Sequence, residues 1–172
     1  MLKAAGLLLM VAAGTGYGFS KSMELTRREQ ALRQLWQMAI YLKGEIRHGN
    51  ASLYDAFMET GRKMPDPYGE FLRQTAQKMK SRAGLRLGEL FCLCAEEYLS
   101  DLPIVKEERE AFLSLGTHLG YLDLTMQIKQ LELYEREAEY SIEKLQAELP
   151  AKKKAYQSLG ILGGLMLAVL FL

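Results

Sequence analysis

The chain has very few of the residues from which metal sites and reactive thiol centres are built, since its 172 residues include two cysteines and two histidines. Cys92 and Cys94 lie two positions apart in an apolar stretch, and on a helix their side chains would point about 200° apart. They could therefore neither bridge each other nor bind one metal ion together. His48 and His118 lie on different elements, without metal-binding spacing. We expect buried structural thiols, no metal site and no cofactor.

The sequence also lacks the motifs of phosphate binding, dinucleotide binding and activated nucleophiles. Seven of its glycines lie near the two ends, where small residues usually mark close packing between helices. Gly160 and Gly164 have the G-x-x-x-G spacing of such a packing face. An enzyme is therefore poorly supported, although a pocket of carboxylates with perturbed pKa values would revive that hypothesis.

Proline is scarce as well, with four residues, and there is little strand-like alternation. Long stretches of good helix formers predict an all-α fold, in which Pro150 ends or kinks the last helix. The predicted helices cover approximately residues 20–47, 51–61, 68–81, 87–99, 105–119 and 123–149.

Charge is absent from both ends of the chain. No charged residue occurs from Ala4 to Phe19 or from Ala155 to Leu172. Except for Lys3, all charged residues lie in the range from Lys21 to Lys154. At ~1.5 Å per residue, the first segment spans roughly 24 Å, slightly less than a ~30 Å hydrocarbon core. Flanking lysines can cover this difference by snorkelling.

This layout predicts a transmembrane anchor at residues 1–20, a soluble cytoplasmic helical domain at 21–154 and a second anchor at 155–172. Basic residues follow the first anchor and precede the second, so the positive-inside rule puts both termini on the opposite side of the membrane. Two alternatives stay open: a cleaved signal peptide at the start and a buried core helix at the end.

The first and last predicted helices each carry a coiled-coil-like apolar seam with one charged interruption, Arg28 in the first and Glu135 in the last. Both helices run into an anchor, so we expect them to pair in an antiparallel arrangement. The alternative is that each seam packs on the other four helices. The seam positions are Leu25, Leu32, Leu35, Ala39, Leu42 and Ile46 in the first helix, and Leu124, Ile128, Leu131, Ala138, Ile142, Leu145 and Leu149 in the last.

Charge is also unevenly divided within the domain. Residues 21–86 contain 13 basic and 7 acidic side chains, a net charge of +6, whereas residues 87–149 contain 5 basic and 14 acidic side chains, a net charge of −9. One interpretation is two ordinary solvated faces; the other is a polar docking surface for partner subunits. We take Glu132, Glu135 and Glu139 as the candidate partner-docking residues. Nucleic-acid binding is disfavoured, because the acidic half would repel a phosphate backbone.

Several short motifs, in order along nearly the whole chain, resemble the stage III sporulation protein AB family of endospore-forming bacteria. They are Glu45-Ile46, Gly49-x-x-x-Leu53-x-x-Ala56, Leu115-Gly116-x-x-Leu119-Gly120-x-x-Asp123 with Gln127, and Tyr156-x-x-Leu159-Gly160. That family is in turn similar to the F component, the inner-membrane platform protein of type II secretion. The resemblance therefore implies a six-helix antiparallel bundle flanked by two transmembrane helices.

The motifs have physical roles as well. Gly49 is suited to a turn between the first two helices, and Asn50 is a plausible N-cap, since Ser52 stands where the family prefers proline. Gly116 and Gly120 lie one turn apart and would let another backbone approach closely. Asp123 can cap the final helix. The alternative for this second motif is a plain helix-turn-helix corner.

By family analogy, the resemblance implies a non-catalytic membrane platform subunit of a secretion-like channel between mother cell and forespore. It would lie in the mother-cell membrane around the forespore. The stage III sporulation protein AA ATPase and the other channel subunits would be its partners, and homo-oligomerisation is left open. The alternative is a membrane-anchored helical scaffold or sensor whose seams open to bind a partner helix.

Overall fold

The computed structural model describes residues 2–48, 52–81, 84–120 and 123–170, except for the side chains of residues 2–15, 17, 48, 157, 161, 164–165 and 167–170. Within this described part, the chain forms six α-helices and no strand, which confirms the predicted all-α class. The helices are α1 (Leu2–His48), α2 (Leu53–Lys63), α3 (Tyr68–Ser81), α4 (Leu87–Tyr98), α5 (Lys106–Leu119) and α6 (Leu124–Leu170).

The first and last helices are longer than predicted. The backbone of α1 is already helical at Leu2, and α6 continues through Pro150 to Leu170. Of the two predicted effects of Pro150, ending the helix near Leu149 is therefore wrong, since α6 continues through this proline. A proline removes one backbone hydrogen bond, and Leu145 and Leu149, in the turns preceding it, are buried. Packing thus holds the helix in register on the N-terminal side of Pro150.

The chain divides into two compact units. One consists of residues 30–142. The other combines the two terminal segments, residues 1–29 and 143–172. The sequence-based boundaries after residues 20 and 154 separate predicted membrane anchors from the helical domain, and they stay a prediction.

An aromatic cluster forms the centre of the 30–142 unit. Each of the helices α2 to α6 contributes one ring to this cluster. Phe71 and Phe91 meet edge to face with centroids 4.9 Å apart, and Phe91 lies 5.0 Å from Phe112. Phe57 and Tyr134 extend the cluster on either side. The Phe57 ring centroid lies 6.3 Å from that of Phe91, and the Tyr134 centroid lies 6.0 Å from that of Phe112. Such pairs stabilise a core by ~0.5–1.5 kcal/mol each beyond their area burial.

Two glycines and one arginine hold the α2–α3 corner together. A Cβ atom on Gly69 would lie 2.5 Å from the Met64 carbonyl oxygen, and one on Gly61 would lie 3.0 Å from the Gly69 carbonyl oxygen. The Arg73 guanidinium donates to the Gly61 carbonyl at 2.6 Å and to the Asp66 carboxylate at 2.8 Å. The two helices can therefore approach at backbone contact distance only because neither glycine has a side chain.

In the 30–142 unit, α1 and α6 are antiparallel, as their apolar seams predict. Lys43 of α1 donates to Glu135 of α6 at 2.5 Å. Earlier in α1, Leu32 lines the same cavity as Ala138 and Ser141, which come later in α6. Most seam positions are buried here, at Leu35, Ala39, Leu42, Ile46, Leu131, Ala138 and Ile142. The prediction is wrong for Leu124, which is 56% exposed at the start of α6, and Ile128 is half-buried.

The terminal unit also brings α1 and α6 together. Gln146 donates to Glu29 at 2.7 Å. A Cβ atom on Gly18 would lie 2.5 Å from the Tyr156 carbonyl oxygen and 3.4 Å from the Gly160 Cα atom. Gly160 thus packs against the opposite helix, which agrees with a small-residue packing face. The surroundings of Gly164, the second glycine of the spacing, lie outside the description.

Across the described residues, no helix carries a stretch that is both long and apolar enough to cross a membrane.

Candidate functional site

A small cavity lies between α1, α5 and α6 in the 30–142 unit. Its volume is about 70 Å³, and its lining includes Leu32, Ala111 and Tyr134, with Glu107 and Glu137 among the acidic residues. Pockets that hold drug-sized ligands have volumes of roughly 300–1,000 Å³, so this cavity is too small for a metabolite. Burial, together with the nearby Glu137 and Glu108, raises the pKa of the Tyr134 hydroxyl, which therefore stays neutral.

The described cysteine and histidine side chains are those of Cys92, Cys94 and His118, and that of His48 lies outside the description. Cys94 is buried and Cys92 is half-buried, and burial together with Glu96 raises the pKa of the Cys92 thiol. A raised pKa reduces the thiolate fraction and so the reactivity. The His118 Nδ1 atom lies 2.7 Å from the Ser114 carbonyl oxygen of its own helix. In the described part of the chain, no three His, Cys, Asp or Glu residues are arranged to hold a metal ion.

The motif from Leu115 to Gln127 builds the corner between α5 and α6. The Asp123 carboxylate accepts from the Met126 backbone N–H at 2.8 Å, so Asp123 caps α6 as predicted. The Gln127 side-chain amide donates to the Leu119 carbonyl at 2.9 Å, which satisfies one of the last carbonyls of α5. Leu115 and Leu119 are buried. These contacts favour the plain helix-turn-helix corner over a close approach of another backbone at this motif.

Gly116 and Gly120 give close packing, although not in the way the spacing suggests. A Cβ atom on Gly116 would lie 2.1 Å from the Phe91 ring, and one on Gly120 would lie 2.9 Å from the Leu87 Cβ atom. Both glycines thus receive side chains of α4 rather than its backbone. The close backbone approach between α4 and α5 occurs at Gly88, where a Cβ atom would lie 2.8 Å from the Thr117 Cα atom.

The earlier motif lies at the start of α2. Gly49 and Asn50 are outside the described residues. Ser52, rather than the predicted Asn50, is the N-cap, because its hydroxyl accepts from the Asp55 backbone N–H at 3.3 Å. The error came from taking the first possible capping residue after the glycine, whereas the helix begins at Leu53.

The other motif residues in this region make contacts within the 30–142 unit. Leu53 is half-buried against the core. Glu45 pairs with Lys63 at the end of α2, and hydrogen bonding to this carboxylate raises the pKa of Lys63. Glu45 therefore joins α1 to the end of α2.

The three candidate docking residues do not share one surface. Glu139 is exposed and Glu132 is half-buried, and they lie two turns apart on one side of α6. The Glu135 side chain is only 14% exposed, because it faces α1 and binds Lys43. Its second oxygen, Oε1, is buried without a hydrogen-bond partner in the described part of the chain. The structure thus assigns Glu135 to the seam and leaves Glu132 and Glu139 on the surface.

The charge asymmetry is partly used inside the 30–142 unit. Lys43 and Lys78, from the basic half, pair with Glu135 and Glu97 from the acidic half, at 2.5 Å and 2.6 Å. Lys80 lies 3.8 Å from the centroid of the Tyr54 ring, a cation–π contact. These three lysines of the basic half therefore make contacts within the domain, whereas Glu132 and Glu139 remain at the surface.

Sequence reasoning missed Arg109. Its guanidinium donates to the Leu99 and Ser100 carbonyls, at 3.2 Å and 2.9 Å, and so holds the turn between α4 and α5. A signal was present, since Arg109 lies in the first turn of α5, where a cation opposes the helix dipole.

Comparison with known proteins identifies the family. The family model described as stage III sporulation protein AB matches residues 3–172. The chain belongs to the stage III sporulation protein AB family. A solved structure titled stage III sporulation protein AB (SpoIIIAB) is similar with a TM-score of 0.64 at 20% identity, over 72% of this chain and 96% of that one. No curated protein matches the sequence significantly.

The solved stage III sporulation protein AB structure supports the fold, and the family match confirms the resemblance found in the motifs. Membership implies a role in sporulation. The family description names no catalytic activity. Where the structure describes them, most residues of the family motifs build the corners between helices or the contacts between helices.

Proposed function

We propose that this protein is a non-catalytic platform subunit of a secretion-like channel between mother cell and forespore. Its helical domain, in the mother-cell cytoplasm, would couple the stage III sporulation protein AA ATPase to the channel subunits. The observation that carries the proposal is family membership over residues 3–172. A domain whose described cavity holds about 70 Å³ and whose motifs build corners is suited to binding proteins rather than to turnover.

We also propose that residues 1–20 and 155–172 anchor this domain in the membrane around the forespore. The support is the absence of charge from 4–19 and 155–172, together with the basic residues that flank both segments. Alkaline extraction of membranes from sporulating cells tests this: the full-length chain should stay in the pellet. Release into the supernatant would contradict the anchors.

The acidic face of α6, Glu132 and Glu139, is the proposed contact with the ATPase. Rim charges act mainly on association rate and salt dependence, and each exposed pair contributes ~0.2–1 kcal/mol. The double variant Glu132→Lys/Glu139→Lys should therefore weaken ATPase binding roughly five- to tenfold without unfolding the domain. Glu135→Lys is left out, because it would set two cations together in the seam.

The matched control is Glu96→Lys/Glu110→Lys, which changes net charge equally at exposed positions of α4 and α5. Binding of the purified full-length chain to the ATPase should be unchanged in this control. Equal loss in both variants would mean that net charge alone matters, and no loss in the first would remove this face from the proposal.

The alternative is a scaffold or sensor whose seams open for a partner helix. In the 30–142 unit, the buried apolar seams and the Lys43–Glu135 pair oppose such opening. A bifunctional thiol cross-linker between Lys43→Cys and Glu135→Cys would lock the seams together across the length of the two side chains that meet there. Retained function of the cross-linked chain would argue against the sensor, and a loss that the double variant without cross-linker does not show would favour it.

A further inference from the structure

The outward side of α6 carries an apolar stripe that no described residue covers. Met126, Leu133 and Tyr140 are 48%, 47% and 67% exposed. Residues seven apart on a straight helix lie within ~20° of each other around its axis, so these three share one face. Single exposed apolar residues are ordinary, but these three form a continuous line at heptad spacing, which is one of the two apolar rows of a coiled-coil seam.

Charged and polar residues flank this stripe in two rows. Lys129 and Arg136 lie on one side, and Gln130 and Glu137 lie on the other. At 100° per residue, each row is roughly 40–60° from the line of the stripe. From residue 129 to residue 137, the first row is basic and the second is neutral and acidic. One heptad later the signs are exchanged, with Glu143 in the first row and Lys144 in the second, so the two rows remain opposite in charge.

We propose that the stripe is a self-association surface, at which two copies of this chain pair about a two-fold axis parallel to α6. In this arrangement unlike rows meet, so Arg136 of each copy lies beside Glu137 of the second copy. In an antiparallel pair each row would meet itself, which would set Lys129 beside Arg136 of the second copy. Like charges in contact oppose association, so the flanking rows select the parallel arrangement.

Self-association fits this surface because one segment supplies both halves of the contact, as a two-fold interface requires. A stripe of three side chains is much smaller than the ~800 Å² per partner of a standard interface. We therefore expect weak, concentration-dependent pairing. The inference does not rest on the proposed function. The acidic face, Glu132 and Glu139, lies roughly 100° from the stripe and stays accessible in the pair.

Disulfide trapping of the full-length chain in the cells that produce it tests the parallel geometry. In a Cys92→Ser background, Met126→Cys and Tyr140→Cys should each form a disulfide-linked dimer under a mild oxidant, because each position faces itself across the axis. Glu139→Cys, exposed on the neighbouring side of α6, should give at least about fivefold less. The background chain, which retains buried Cys94, should give none.

Two results would overturn the proposal. Dimers that form only when the Met126→Cys and Tyr140→Cys chains are mixed would show antiparallel pairing. Yields at positions 126 and 140 no higher than at 139 would show random collision.

Charge reversal distinguishes self-association from binding of a different partner. In the Tyr140→Cys chain, Arg136→Glu or Glu137→Arg alone should reduce the disulfide yield about three- to tenfold. The double variant Arg136→Glu/Glu137→Arg should restore it, because each copy again presents complementary rows. A double variant no better than either single variant would contradict pairing between identical chains.

Discussion

At the scale of single residues, Gly116 shows how the family motif acts on the fold. The space next to its Cα atom is filled by the Phe91 ring, which belongs to the central aromatic cluster. Phe91 is fully buried, and its ring packs against those of Phe57, Phe71 and Phe112. A change at Gly116 would therefore act on the core as a whole rather than on a surface.

We predict that Gly116→Ala lowers the free energy of unfolding by about 3 kcal/mol, at the upper end of the usual cost of overpacking. Gly44→Ala is the matched control, because a Cβ atom there meets nothing within 4 Å. Alanine at that helical position should be neutral or stabilising by up to ~1 kcal/mol. Urea unfolding of the full-length chain checks both, and equal stability of the two variants would contradict this account.

A second residue-scale prediction concerns alkaline pH. Burial raises the pKa of Tyr68 from 10.0 to about 12. As pH rises above 10, the unfolded chain loses this proton while the folded chain keeps it, so the free energy of unfolding falls by up to ~1.4 kcal/mol per pH unit. Tyr68→Phe should make the decrease between pH 9 and pH 11 shallower. An unchanged slope would show that Tyr68 is not responsible.

At the scale of helices, the sequence predicts best what local chemistry determines. The bounds of α3, α4 and α5 agree with the predictions to within about a residue, because prolines, glycines and first-turn acids mark them. Asp123 caps α6 as predicted, for the same reason. The continuation of α6 past Pro150 could not be read locally, because packing outweighs one lost hydrogen bond.

We predict that Asp123→Ala destabilises the protein by ~1 kcal/mol, the usual cost of removing an N-cap. Asp123→Asn should retain most of the stability, because its amide oxygen can accept the same bond from the Met126 N–H. Denaturant unfolding of the three proteins checks this. If the Ala and Asn variants lose equal stability, the charge of Asp123 matters rather than its capping bond.

At the scale of the whole molecule, the candidate site was harder to predict than the fold. Glu135 was assigned both to the seam and to a docking surface, and only the position of Lys43 on α1 decides between them. Arg109, Gly61 and Gly69 were missed because their roles depend on carbonyl groups of neighbouring turns. The role of a residue whose partner lies elsewhere in the chain cannot be recognised from the short sequence segment around it.

For the molecule as a whole, we propose that it joins an ATPase to a channel in a sporulation complex. The most direct test is to purify the full-length chain from membranes of sporulating cells and to quantify the associated proteins by mass spectrometry. We predict recovery of the stage III sporulation protein AA ATPase and channel subunits, with less ATPase for Glu132→Lys/Glu139→Lys. Recovery of unrelated proteins alone would contradict the coupling role.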